Sequence, residues 1–302
     1  MPGYMDKAVQ RFCPDLSKGA ASPGIYVTPT YGVQSPQASH ADDSSAPLSV
    51  DNAKLLEQII GVFMYYARAV DYTLLQEVNK LATLPPTANV LAGAFRMIAY
   101  GATYPNNELV FTASDMILTI QSDGSHLSRS KARGVAGGIF YFGNKDAPTH
   151  INGAVLALSK VVDVVVSSAA EVEYASLFIN GQKGVHLRNI ADALGHIQPP
   201  TIMLCDNECA QGIASDTVKI KKSKSWDMRW HWIRDRVRQG QFIVVWRKGA
   251  HNLADFFTKT LPVHEHQACM PFLVHTPISI NNPLHSNRGR RINAWKQSKL
   301  SC

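Results

Sequence analysis

At 302 residues, with 45% hydrophobic and 18% charged side chains, the chain can bury one large core or two modest ones. Its net charge is +7, yet residues 1–105 hold seven Lys/Arg against eight Asp/Glu, so the positive excess lies wholly beyond them and points to a polyanionic partner there. No run of 18 apolar residues and no basic-then-apolar leader occurs, which argues against membrane spanning and secretion. The five cysteines complete no zinc set, and Cys205 and Cys209 have no nearby His/Cys pair; reduced thiols in an intracellular protein are expected.

Residues 14–50 are rich in Pro, Ser, Gly and Ala without periodicity and read as an extended or disordered linker. Within it, His40-Ala41-Asp42-Asp43 has the look of a polymerase aspartate pair, but its polar, Pro-containing surroundings are not those of a strand hairpin. Residues 51–101 predict three helices, from the apolar spacing of Leu55, Leu56, Ile59, Ile60 and Phe63, of Leu74, Leu75, Val78 and Leu81, and of Leu91, Ala94, Phe95 and Ile98. Pro85-Pro86 separates the last two.

From residue 108 the texture becomes β-rich. Strands are predicted at 109–111, at 116–121 with Asp123 just past its end, and at 135–142, where Gly137-Gly138 permits close backbone approach. Further β-rich stretches cover 151–158 and 161–166. A helix over 167–194, with a break near Asn180-Gly181, leads to a short strand at 201–205 that ends in Asp206. A helix at 225–238, a strand at 242–247 and a short helix around 253–259 follow, and the polar, basic, aperiodic 263–302 reads as a tail. This order predicts an α/β fold, a mixed sheet flanked by helices, over 106–262, preceded by a linker (1–50) and a small helical segment (51–105).

Asp123 and Asp206 fall at predicted strand ends, Glu173 about one turn into a helix, and Asp255 at the start of the last one. Carboxylates so placed can converge at one sheet edge, where they would repel one another unless divalent ions neutralised them. Four acids scattered along a chain are more often solvated surface, so spacing alone does not establish a site.

The surrounding words do more. Gln121-Ser122-Asp123-Gly124-Ser125, Ser167-Ser168-Ala169-Ala170-Glu171-Val172-Glu173-Tyr174, Leu204-Cys205-Asp206-Asn207, the stretch from Trp226 to Asp235, and Asn252-Leu253-Ala254-Asp255-Phe256-Phe257-Thr258-Lys259 occur in order. The series resembles the ribonuclease H domain of copia-type LTR-retrotransposon polyproteins. Met1–Tyr4 and the stretch Leu56–Arg68 resemble, more weakly, the end of the reverse transcriptase and the connecting segment. The resemblance implies a C-terminal piece of such a polyprotein with a ribonuclease H-like fold. Its catalytic and metal-binding acids would be Asp123, Glu173, Asp206 and Asp255. They would take two Mg²⁺ ions, with Mn²⁺ as a substitute, to hydrolyse the RNA strand of an RNA/DNA hybrid. It further implies other parts of the retroelement polyprotein as partners, and a cytoplasmic particle or the nucleus as location. A decayed, nucleic-acid-binding remnant is the alternative; an integrase ranks last, since no zinc-binding His/Cys set is present.

Glu171 competes with Glu173: two residues apart on a helix they point about 200° apart, so only one can face the site, and the resemblance favours Glu173. Gly124 stands where the family commonly has alanine, and a smaller residue should not block a metal. His251, four residues before Asp255, is placed where many relatives have a histidine assisting proton transfer or product release, although copia-type sequences usually lack it; a plain loop residue is the competing reading. Between Lys219 and Lys248 stand ten basic residues and two acids. Lys219, Lys221, Lys222, Lys224, Arg229 and Arg236 are the candidate phosphate contacts, against a solvated loop or a localisation signal. Trp226, Trp230 and Ile233 share a helical face and read as core. Ser125 and Asn207 are candidates for strand discrimination by adjacency to the acids alone, and His126 and His231 read as packing or backbone-contacting residues.

Overall fold

The computed structural model describes residues 1–28, 43–129, 131–148, 150–218 and 228–277. They form two compact units, one holding the described residues of 1–28, 43–110 and 260–277, the other those of 111–259. No helix among the described residues is long and apolar enough to cross a membrane, and the four described cysteines are free.

The first unit is helical. It contains α1 (Tyr4–Phe12), α2 (Val50–Ala69), α3 (Leu75–Thr83), α4 (Ala88–Thr103) and α8 (Val263–Leu273), the intervening α5 to α7 belonging to the second unit. The three expected helices are α2 to α4. Ser49 and Thr87 cap α2 and α4 by accepting from the amides of Asn52 and Val90. Leu56, Ile59, Phe63, Val78, Leu81, Ala94 and Ile98 are buried, as their spacing requires.

The expected linker and tail both differ from the structure. Part of 14–50 lies against α4: the Ala20 amide donates to Ala99 O and Thr103 Oγ1, and Arg96 donates to Ser22 Oγ. Asp43 accepts from Thr87 and Asn89; His40 to Asp42 lie outside the described residues. An extended segment held by hydrogen bonds carries no apolar period, so composition alone reads it as loose. The tail begins with α8, whose His266 and Met270 meet the buried Tyr100 hydroxyl at 3.0 and 3.6 Å. Its buried face is His266, Met270 and Leu273, with Pro271 inside the helix, and that mixture hides the helical stripe.

The second unit is built on a sheet of β1 (Ile117–Arg129), β2 (Arg133–Gly143), β3 (Leu156–Val165), β4 (Thr201–Cys205) and β5 (Phe242–Trp246) in the order β3-β2-β1-β4-β5. The pairs β1–β2 and β2–β3 are antiparallel, β1–β4 and β4–β5 parallel. Helices α5 (Ala169–Ala193), α6 (Glu208–Ala214) and α7 (Trp232–Arg238) complete the expected mixed sheet with flanking helices.

Local boundaries differ in instructive ways. No strand forms at 109–111, and 151–166 yields the single strand β3. Helix α5 is continuous through Gly181, because its glycines serve close packing: a methyl at Gly184 would sit 2.7 Å from Ile120 Cδ1, and one at Gly181 2.8 Å from Ile233 Cδ1. The helix expected at 225–238 is a 3₁₀ turn at Met228–His231 followed by α7, with Trp226 outside the described residues and Trp230 and Ile233 buried in the core.

Candidate metal centre

Asp123 lies inside β1, opposite Gly137 of β2, and not past a strand end as its polar surroundings imply. The ladder with β2 continues through Ser125, and backbone pairing there does not depend on apolar side chains. Asp206 directly follows β4, in the first parallel pair beside β1. Glu173 reaches across from the first turns of α5. One carboxylate oxygen from each of Asp123, Glu173 and Asp206 lies within 4.8 Å of the other two.

Asp255 stands beside this set but not within it, midway along a 3₁₀ turn (Leu253–Phe257) instead of at a helix start. The turn is pinned against β1, where Asn252 Nδ2 donates to Ser122 O at 2.8 Å and the Leu253 amide to Gln121 Oε1 at 2.8 Å. Thr258, fully buried, donates its hydroxyl to Asp123 Oδ2, and Lys259 Nζ meets Asp255 Oδ1 at 2.5 Å.

Two close approaches hold the acids together. A methyl at Gly124 would fall 2.7 Å from Val172 O and 2.9 Å from Glu173 N, so the glycine lets β1 reach the start of α5; its amide donates to the Glu173 carboxylate. A methyl at Gly249 would fall 2.7 Å from Asp206 Oδ2. Across the sheet, a methyl at Gly137 would meet Ala254 O at 2.7 Å, which is the close approach its glycine pair announces.

The helix start also separates the two glutamates. Ser168 caps α5 by accepting from the Glu171 amide at 3.2 Å, and Glu171 Oε2 accepts from the amide and hydroxyl of Ser167, both at 2.7 Å. This is close to a capping box, which satisfies otherwise orphaned donors at a helix N-terminus. Glu171 is thus engaged at the helix end while Glu173 faces Asp123 and Asp206.

Burial, then the charge of Asp255, pushes the Asp123 carboxyl up to about 7, against the pull of Lys259 and the Thr258 hydroxyl. Burial followed by the like charges of Asp123 and Asp206 raises Glu173 well above its ordinary range, and burial with the Asp255 charge raises Asp206. Burial opposes the Lys259 ammonium, but Asp123, Asp255 and Asp206 outweigh it and raise its pKa. Glu173 Oε2 is buried with no hydrogen-bond partner. An orphaned buried carboxylate oxygen facing two more carboxylates is a set of hard oxygens that fits a divalent cation such as Mg²⁺.

The other predicted residues sit as follows. Ser125 is buried, bonded to Ser128 Oγ at 2.5 Å and to Thr258 O at 3.3 Å, and Asn207 caps α6 by accepting from the Ala210 amide; both side chains are engaged in holding the local backbone. His251 ends the 3₁₀ turn Gly249–His251 and its amide donates to Lys248 O. Arg229 is exposed, and the Arg236 guanidinium lies 4.8 Å over the Trp232 ring. Lys219, Lys221, Lys222 and Lys224 lie outside the described residues. His126 Nε2 meets Val166 O and His231 Nδ1 meets the Tyr174 hydroxyl. Thr258 and Lys259 belong to the last sequence motif, yet nothing in its wording assigns them a partner; the three- and four-residue spacing from Asp255 was the available signal. Trp246, 44% exposed, donates Nε1–H to Asp206 O at 3.0 Å, a neighbour that lies 40 positions away in sequence.

No protein-family model matches the chain. Over 161 residues, 53% of its length, it is 27% identical to the Retrovirus-related Pol polyprotein from transposon TNT 1-94 of Nicotiana tabacum. The chain resembles part of a retrotransposon Pol polyprotein. It spans 12% of the length of that Pol polyprotein. Among solved structures it is similar to the N-terminal RNase H domain of rv2228c from Mycobacterium tuberculosis, fused to maltose-binding protein (15% identity, 61% of this chain and 99% of that chain, TM-score 0.33). It is also similar to LC11-RNase H1 in complex with an RNA/DNA hybrid (14% identity, 47% of this chain and 93% of that chain, TM-score 0.35).

Proposed function

We propose that the sheet-bearing unit is a divalent-metal-dependent ribonuclease H of copia-type retroelement origin, cutting the RNA strand of RNA/DNA hybrids. The observation that carries this reading is the gathering of Asp123, Glu173 and Asp206 within 4.8 Å, with a buried, unpartnered Glu173 oxygen. Outside a metal site, three such carboxylates together are electrostatically costly.

Asp123, Glu173 and Asp206, with Asp255 beside them, would together hold two divalent ions. Bound Mg²⁺, or Mn²⁺ in its place, would supply an activated water and stabilise the leaving oxygen. The chain's own contribution is positioning. Thr258 fixes one oxygen of Asp123, the Gly124 amide orients Glu173, Trp246 ties down the Asp206 carbonyl, and Gly249 leaves room for the Asp206 carboxylate. Arg229, Arg236 and the lysines at 219, 221, 222 and 224 would bind backbone phosphates and give salt-sensitive affinity. The same reading places the protein inside the cell, alongside other parts of the retroelement polyprotein.

The test is cleavage of a labelled RNA/DNA hybrid in Mg²⁺ by the wild type, Asp123→Asn and Asp206→Asn. Cleavage by the wild type alone supports the proposal. Equal cleavage by all three, or none by the wild type, refutes it; binding without cleavage would leave a nucleic-acid-binding remnant.

A further inference from the structure

The fourth acid differs from the other three in being paired with a lysine. Asp123, Glu173 and Asp206 share one space, whereas Asp255 is joined to Lys259 Nζ at 2.5 Å, one turn further along the chain. The backbone around the pair is held on both sides. Asn252 and Leu253 are bonded to β1, and the Thr258 hydroxyl reaches both Asp123 Oδ2 and, at 3.1 Å, Asp255 O. The Lys259 side chain is half exposed and that of Asp255 about one-third exposed. The flexible four-carbon stem can therefore leave Asp255 without moving the carboxylate or the turn.

We infer that Lys259 is a resident cation that competes with the second divalent ion for Asp255. The first ion enters on Asp123, Glu173 and Asp206 with the Asp255–Lys259 pair intact; a second ion binds only by taking the Asp255 carboxylate from the lysine. Four carboxylates without a cation would repel strongly, and a tethered monovalent cation relieves part of that repulsion while remaining displaceable by a divalent one. The inference rests on the metal reading of this site given under Proposed function and adds to it an order of loading and the residue that sets it.

Isothermal titration calorimetry of Mn²⁺ into the full chain tests this, with wild type, Lys259→Gln and Lys259→Arg compared at low ionic strength and circular dichroism confirming that each is folded. The wild type should bind a first ion and a much weaker second. Lys259→Gln should tighten the second step by roughly tenfold to a hundredfold, with a smaller change in the first. Lys259→Arg, which keeps the charge, should resemble the wild type. A second step unchanged by Lys259→Gln, or tightened equally by Lys259→Arg, overturns the inference while leaving a two-ion site in place. No binding by any of the three overturns the metal reading itself, and this inference with it.

Discussion

Replacing Asp123 by Asn should stabilise the metal-free protein as the pH rises while removing its metal chemistry. The Asp123 carboxyl is 1% exposed, and its pKa is raised from 3.8 to about 7, chiefly by burial. A carboxyl raised in the folded state contributes stability that is fully present below 3.8 and is lost as pH climbs to about 7. Between about pH 5 and pH 8 the wild type therefore traverses most of that loss, on the order of 2–3 kcal/mol. Asn has nearly the same shape, keeps an acceptor for the Thr258 hydroxyl and does not ionise. Urea unfolding of both proteins in a chelator, at about pH 5 and about pH 8, reads the difference. The margin of Asp123→Asn over wild type should widen by about 2–3 kcal/mol between the two conditions. Adding Mg²⁺ at the higher pH should stabilise the wild type and do much less for the variant. A margin that stays constant or shrinks with rising pH would refute the electrostatic account of the cluster.

The two glutamates should separate cleanly. Glu173→Gln should lower hybrid cleavage at least about a hundredfold, whereas Glu171→Gln should leave cleavage near wild type and cost about 1 kcal/mol in chemical denaturation through its weakened cap; the reverse pattern would move the metal-binding role to Glu171. Gly124→Ala, although alanine is common there in the resembled family, should destabilise this chain by about 1–3 kcal/mol, read as a lower urea midpoint, because the methyl meets Val172 O at 2.7 Å. Thr258→Val removes a hydrogen bond that favours ionised Asp123. The pH at which Mn²⁺ binding reaches half its maximum should rise, and an unchanged or lower half-point would contradict that role.

Those outcomes also mark where the primary sequence speaks and where it falls silent. The helices α2 to α4 are legible because Leu56, Ile59 and Phe63, and their counterparts, alternate with polar residues at helical spacing and are buried as that spacing requires. Helix α8 is not, since its buried face is a histidine, a methionine and a leucine spread along a polar, proline-containing segment. Asp123 reads as a turn residue because Ser122-Asp123-Gly124-Ser125 is polar, while its strand is held by pairing with β2. At the site, the motif wording picks out the four acids, and helical angle shows that Glu171 and Glu173 cannot both face it. What no local word reveals is that Asp255 is engaged by Lys259 or that Trp246 bonds the Asp206 carbonyl. Those contacts arise only when the end of β5 and the turn after it are folded against β1 and β4.

The most direct test of the central claim is strand selection by the full chain in Mg²⁺, with the RNA and DNA strands of a hybrid labelled separately and duplex DNA as control. The account predicts that the hybrid's RNA strand alone is cut, leaving 5′-phosphate and 3′-hydroxyl ends, and that chelation of the metal stops the reaction. Cutting of the DNA strand or of duplex DNA at a comparable rate, or RNA cutting that persists after chelation, would contradict it.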